Sequence, residues 1–316
     1  MGDIFLYTLS QTLLLFFFLL AGAFLRWRKL LPDNTPLVLS RLEMTIILPA
    51  LNFKVFAANF NRSVLRQSGI TMLAGVAVLG VVFSIALVLS RFFAKDRNTR
   101  DIYTYSFTIP NYGYMGYALM AALYGESMLF SMIVFALPLS MFTYSVGMYL
   151  LSPQKKWDLR TFLNPSFAGI LLGVLVGLSG VTVPPLLMSV AETASNCMAP
   201  LAMLLTGFVI AGKAILSGST TGGKGDAFAL LRDRKVYLAC AIRLLALPLF
   251  ALGVCLALKL PDDLTTVIIL FLAMPMGLNT IVFPEAAGGD SSTGAKMALI
   301  SNVAGLVTIP FVLSLL

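Results

Sequence analysis

The chain has 316 residues, of which 59% are hydrophobic and only 11% charged, and its mean hydropathy of +0.92 exceeds what a soluble domain buries around one core. This excludes an ordinary globular enzyme and predicts an all-α polytopic membrane protein. The formal net charge of +8 sits largely in the loops between apolar runs, so it reads as a topology signal and implies no nucleic-acid partner.

A membrane-spanning helix needs about 20 apolar residues. Suitable runs cover roughly 4–24, 36–57, 69–93, 102–123, 128–151, 164–180, 186–212, 236–258, 264–287 and 293–315, predicting ten transmembrane helices. Asp3 precedes the first run and Arg26, Arg28 and Lys29 follow it, the reverse of a secretory signal's basic start, so it reads as an uncleaved span. Loops one, three, five and seven hold fifteen Lys and Arg residues, against Arg62, Arg66 and Lys259 in the alternate loops. The positive-inside rule then sets the basic loops in the cytoplasm and both termini outside, in the plasma or inner membrane.

The second run carries Ile47-Leu48-Pro49-Ala50-Leu51, and the seventh carries Met198-Ala199-Pro200-Leu201-Ala202. The fourth run is broken at Phe107-Thr-Ile-Pro110-Asn111-Tyr112-Gly113-Tyr-Met-Gly116, and the ninth at Met274-Pro275-Met-Gly277-Leu-Asn279-Thr280. Pro110 lies fifteen residues before Gly125-Glu126-Ser127, and Pro275 fourteen before Gly289-Asp290-Ser291. These matched features predict two inverted five-helix repeats, 1–151 and 164–316, joined by a short cytoplasmic connection at 152–163, in one transporter domain. Residues 218–225 nearly fit a phosphate-binding loop but end in Gly225 where the magnesium-binding hydroxyl belongs, so the segment reads as linker.

A proline removes a backbone donor and frees a carbonyl, and each unpaired backbone group in hydrocarbon costs several kcal/mol, on the order of 2–7. Pro110 falls about nine residues, roughly 13 Å, from the cytoplasmic end of its run, near the bilayer midplane. If the broken fourth and ninth helices cross there, four half-helix ends converge and offer amides to an anion and carbonyls to a cation. Asn111 and Asn279 could hold a carboxylate or stitch the freed backbone; Thr280, Tyr112 and its neighbours Tyr114 and Tyr117 add hydroxyls, and Gly113 and Gly277 loosen the breaks beside Pro110 and Pro275. Arg243, about seven residues into the eighth run, is a candidate for pairing with a substrate carboxylate. Arg41 and Lys54 are expected to snorkel, and Glu285 and Glu192 are candidates for cation coupling.

No His is present, which removes the commonest metal ligand and the neutral-pH proton carrier, so proton coupling would need carboxylates. The three cysteines fall in apolar runs and read as small buried hydrophobes. No cofactor and no metal are expected; the coupling ion, if any, is H+ or Na+. No catalytic set appears at membrane depth, so an enzyme is not expected.

At the two breaks the chain resembles the auxin efflux carrier family, which includes plant PIN-type carriers and bacterial malate or malonate permeases. The likeness spans nearly the whole length and extends through Ile281 to Phe283, Gly288-Gly289-Asp290, Ala295, Ser301 and Pro310. It implies crossed helices four and nine, a scaffold-and-panel division, elevator-type alternating access, and organic-anion binding at Asn111, with Pro110 and Pro275 as crossover residues. Two positions depart from the family pattern: Ala118 and Thr280 stand where prolines occur in relatives, and the long central loop of many plant carriers is absent. The expected function is transport of small organic anions such as malate, malonate or auxin-like acids. Sodium symport of the bile-acid carrier type and a passive channel are the alternatives. The expected partners are the anion and the lipid bilayer, with a homodimer left open.

Overall fold

A computed structural model describes residues 2–62, 64–152, 165–219, 233–277, 279–286 and 292–316. The described residues form fifteen α-helices and four π-helical turns, and no strand among them. Helix α1 is Gly2–Trp27, and α2 (Thr35–Leu42) continues through a π turn at Glu43–Ile47 into α3 (Leu48–Asn59). Helix α4 is Leu65–Phe93, α5 is Arg97–Thr108, and α6 (Tyr117–Phe142) passes through a π turn into α7 (Met148–Leu151). The second half comprises α8 (Pro165–Ser179), α9 (Pro185–Asn196), α10 (Met198–Ser219), α11 (Arg234–Ala241), α12 (Leu247–Ala257), α13 (Asp262–Ala273), α14 (Asn279–Ala286) and α15 (Ser292–Leu313).

Among the described residues, seven helical stretches are long and apolar enough to cross a membrane. The three other expected spans are shorter or interrupted. Helix α8 has 15 residues, and 102–123 and 264–287 break where the prolines predict. Inside α6, Gly125 takes φ 80° and ψ −176°, a left-handed backbone that glycine reaches without a Cβ clash. The kink separates the second part of the broken fourth segment from the fifth.

Prolines also explain two of the four π turns. Pro49 and Pro248 lie two residues beyond the π turns Glu43–Ile47 and Ile242–Ala246, and in each the next amide reaches five residues back, Leu48 to Glu43 and Leu247 to Ile242. Widening the turn by one residue accommodates a ring that cannot donate and that collides with the carbonyl four residues earlier. Where the chain enters α5 and α11, Asp96 and Asp233 cap the first turns by accepting from the amides of Thr99 at 2.8 Å and Lys235 at 3.1 Å.

Small residues set the closest packing. Gly169, Gly173 and Gly177 recur every fourth residue along α8, and a methyl group at each would strike Pro49, Phe56 and Phe60 of the α3 segment. Gly22 of α1 and Gly207 of α10 meet Leu204 and Leu19 in the same way. Membrane helices without a hydrophobic drive to associate gain their dispersion contacts through such close approach.

Candidate functional site

The two broken segments meet. Helix α5 stops at Thr108 and α13 at Ala273, and the extended residues after them pair as an isolated antiparallel bridge between Pro110 and Met276. The Asn111 amide donates to the Pro275 carbonyl at 2.7 Å, so the break at one proline satisfies an acceptor at the other. Beyond the crossing, the Asn111 carbonyl accepts from the amides of Met115 and Gly116 at 3.2 and 3.1 Å, starting the π turn Tyr112–Gly116. On the other strand the Met276 amide donates to the Ser301 hydroxyl at 3.1 Å, and the Thr280 hydroxyl donates to the Gly277 carbonyl at 2.8 Å. Gly277 lies against the backbone of Pro110, whose carbonyl would be 3.3 Å from a Cβ placed there.

Beside the crossing is a cavity of about 80 Å³. A water needs about 10–15 Å³, so the space suits several waters or a small solute. Its walls come from two sides. The crossover side supplies Pro110, Asn111, Tyr112, Gly113, Tyr117, Ser140, Thr143, Tyr144, Gly277 and Asn279; the opposite side supplies Glu43, Met44, Leu48, Asn52, Ser166, Phe167, Ile170 and Met198.

Asn111 is 2% exposed, and neither its Nδ2 nor its Oδ1 has a hydrogen-bond partner among the described residues. A buried amide left unsatisfied costs about 1–3 kcal/mol, so its donors and acceptor are available to a solute in the cavity. Asn279 differs, because its Nδ2 donates to the Tyr105 hydroxyl at 3.0 Å and ties α14 to α5. The Tyr112 hydroxyl shares a 2.8 Å hydrogen bond with Ser140, and its ring packs on Tyr117 and Phe271. Asn52 donates to the Ser166 hydroxyl at 2.8 Å and leaves its own Oδ1 unpartnered among the described residues.

The structure thus gathers Pro110, Asn111, Tyr112, Gly113, Gly277 and Asn279 around one space. Pro275 and Thr280 serve the crossing itself and do not line the cavity. Arg243 is also outside the lining: fully buried, it donates from Nη1 to the Leu272 carbonyl at 2.8 Å. That carbonyl lies in the last turn of α13, where acceptors have no helical partner and a cation is favoured. Lys54, expected to snorkel, is largely buried and paired with Glu126 and Glu192. Glu192 is half exposed in that pair and away from the cavity. The side chains of Glu285 and Tyr114 and residues 220–232 lie outside the described part.

Sequence reasoning missed Glu43. It lies near the start of a predicted span, two residues from Arg41 and on a different side of the helix. The π turn carries it to the cavity wall, 1% exposed. Its only sequence signal was the general one, an ionisable residue inside an apolar run.

Crossed broken helices beside a cavity with both polar and apolar walls are a feature of secondary transporters. The family model described as "Membrane transport protein" matches residues 7–160 and again 154–313. The chain belongs to this family, that of the auxin efflux carriers. It is therefore an integral membrane protein of a transporter family, and the expected resemblance holds. No curated protein matches the chain.

Proposed function

We propose that this auxin efflux carrier family member is a secondary transporter of small organic anions, carboxylates such as malate, malonate or auxin-like acids, working by elevator-type alternating access. The observation that carries the reading is Asn111, a residue of the crossover cavity whose buried amide donors and acceptor have no protein partner among the described residues. An amide binds a carboxylate without placing a permanent counter-charge in the membrane, and the half-helix beginning at Tyr112 adds backbone amides.

The packing supports the inverted arrangement of 1–151 and 164–316. Helix α1 packs most extensively on α10, and α3 on α8, the two pairings that a two-fold axis between such repeats would exchange. The helices then divide into a scaffold of α1, α2, α3, α8, α9 and α10 and a carrier unit built on the crossing, with the cavity between α3, α8 and α10 and that unit. On this reading both termini are outside, and the Lys54 to Glu126 contact joins the two units at the outer side.

A thermal-shift screen of organic acids, with sodium or choline as the cation, tests the proposal, because a ligand that binds only the folded state raises its stability by mass action. Stabilisation by a carboxylate in the wild type and not in Asn111→Ala is the expected result. Equal stabilisation of both proteins would remove the site from Asn111, and stabilisation that requires sodium would favour a sodium symporter.

A further inference from the structure

Glu43 is the most costly group in the cavity. It is 1% exposed, and neither carboxylate oxygen has a hydrogen-bond partner among the described residues. No Lys or Arg lines the cavity among those residues. On its own segment Arg41 is exposed and Lys54 is engaged by Glu126 and by Glu192 of α9. Helix α8 contributes no ionisable residue and α10 only Lys213, whose side chain lies outside the described part, besides Cys197 at its start. From the crossover side the titratable groups facing the cavity are the phenols Tyr112, Tyr117 and Tyr144. An ionised carboxylate here would be an uncompensated charge, for which burial costs far more than for a neutral acid. A leucine would fill the same place at no such cost.

We propose that Glu43 is the proton-carrying group of this cavity, held as the neutral acid while an organic anion occupies Asn111, so that the site takes up one anion together with one proton. The inference rests on the reading of the cavity as an anion site. The chemistry is a protonation only: the Glu43 carboxylate gains a proton from water entering the cavity and returns it to water when the anion leaves. Glu43 and Asn111 line one small space, so an anion at Asn111 is repelled by ionised Glu43 and tolerated beside neutral Glu43. Binding linkage is reciprocal. Raising the pH strips the proton and weakens anion binding, by about tenfold per pH unit for one linked proton; conversely, bound anion keeps the proton on Glu43 to higher pH.

The test is an infrared pH titration of the full chain in proteoliposomes, wild type against Glu43→Gln, following the carbonyl stretch of a protonated carboxyl. A band present at neutral pH in the wild type, bleached at alkaline pH and missing in Glu43→Gln is expected; Glu43→Asp, which keeps the chemistry, retains a titrating band should the Gln variant fold poorly. A Glu43 ionised across the whole range overturns the proposal. In a second arm, malonate, malate or indole-3-acetate, whichever stabilises the wild type and not Asn111→Ala, should move the bleaching midpoint to higher pH and bind Glu43→Gln with pH-independent affinity. Such an acid leaving the midpoint unmoved overturns the proton linkage while sparing the anion site. If none of the acids gives Asn111-dependent stabilisation, the anion site fails and the linkage with it. A midpoint lowered by sodium relative to choline, and unaffected by the acid, would make Glu43 a sodium ligand and also overturn the proposal.

Discussion

Asn111 and Arg243 are both buried polar residues in broken or widened helices, yet their surroundings give them different work. Asn111 uses its backbone in the crossing, lines the cavity, and has no side-chain partner among the described residues. Asn111→Ala should therefore remain folded and monodisperse in detergent while losing anion stabilisation, since hydrogen bonds to a charged group are worth about 1.5–3 kcal/mol each. An unchanged apparent affinity in the variant would make Asn111 structural. Arg243 donates from Nη1 to the Leu272 carbonyl at the end of α13, while its Nε and Nη2 have no partner among the described residues. Arg243→Met should lower the melting temperature, by a loss on the order of 1.5–3 kcal/mol, without changing acid affinity in Asn111-competent protein; Arg243→Lys should recover part of that stability. A Met variant of full stability that fails to bind acids would return Arg243 to the substrate site. The depth of Arg243 was legible from its position in an apolar run. Its partner was not, because Leu272 is 29 residues away and is reached only when α13 packs against α12 and the π turn Ile242–Ala246.

Among the elements, the breaks were the most legible feature, since proline and glycine act through local backbone chemistry. Their mutual satisfaction, Asn111 amide to Pro275 carbonyl, needed only the further idea that two breaks cross. The π turns were not legible, as a widened turn has no residue signature apart from a proline two residues on. The glycine face of α8 was equally hidden, because glycine is common in membrane helices. It now gives a prediction: Gly173→Val sets side-chain atoms against Phe53 and Phe56, and overpacking of this kind costs about 1–3 kcal/mol, so the variant should melt earlier or fail to leave detergent as a single species. The cap at α5 gives another. Accepting the Thr99 amide holds the Asp96 carboxyl below its ordinary range, so its contribution is present at neutral pH, above the unfolded value of about 3.9, and fades as acid protonates it below that range. Asp96→Ala should cost stability at the low end of about 0.5–2 kcal/mol, because the carboxylate is exposed and screened. Melting curves at neutral and acid pH should converge for the two proteins; an equal gap at both would assign the effect to something other than the cap.

At the scale of the molecule, the all-α membrane class followed from composition alone, whereas the cavity draws on residues as distant as Glu43 and Asn279 and required the packing. The proposed orientation rests on the charge asymmetry of the loops. Single cysteines near Glu126 and Lys259, in a background lacking Cys197, Cys240 and Cys255, should react with an impermeant thiol reagent outside intact cells, while cysteines near Lys155 and Lys224 stay protected. The reverse pattern would invert the topology. The central claim is that an organic anion crosses the membrane in the crossover cavity held by Asn111. Counterflow in proteoliposomes tests it most directly, since only a carrier lets preloaded unlabelled acid accelerate uptake of the labelled acid. Wild-type protein preloaded with the acid that stabilises it should show this overshoot, and Asn111→Ala at matched protein levels should not. Uptake indifferent to preloading, or an undiminished overshoot in Asn111→Ala, would contradict the account.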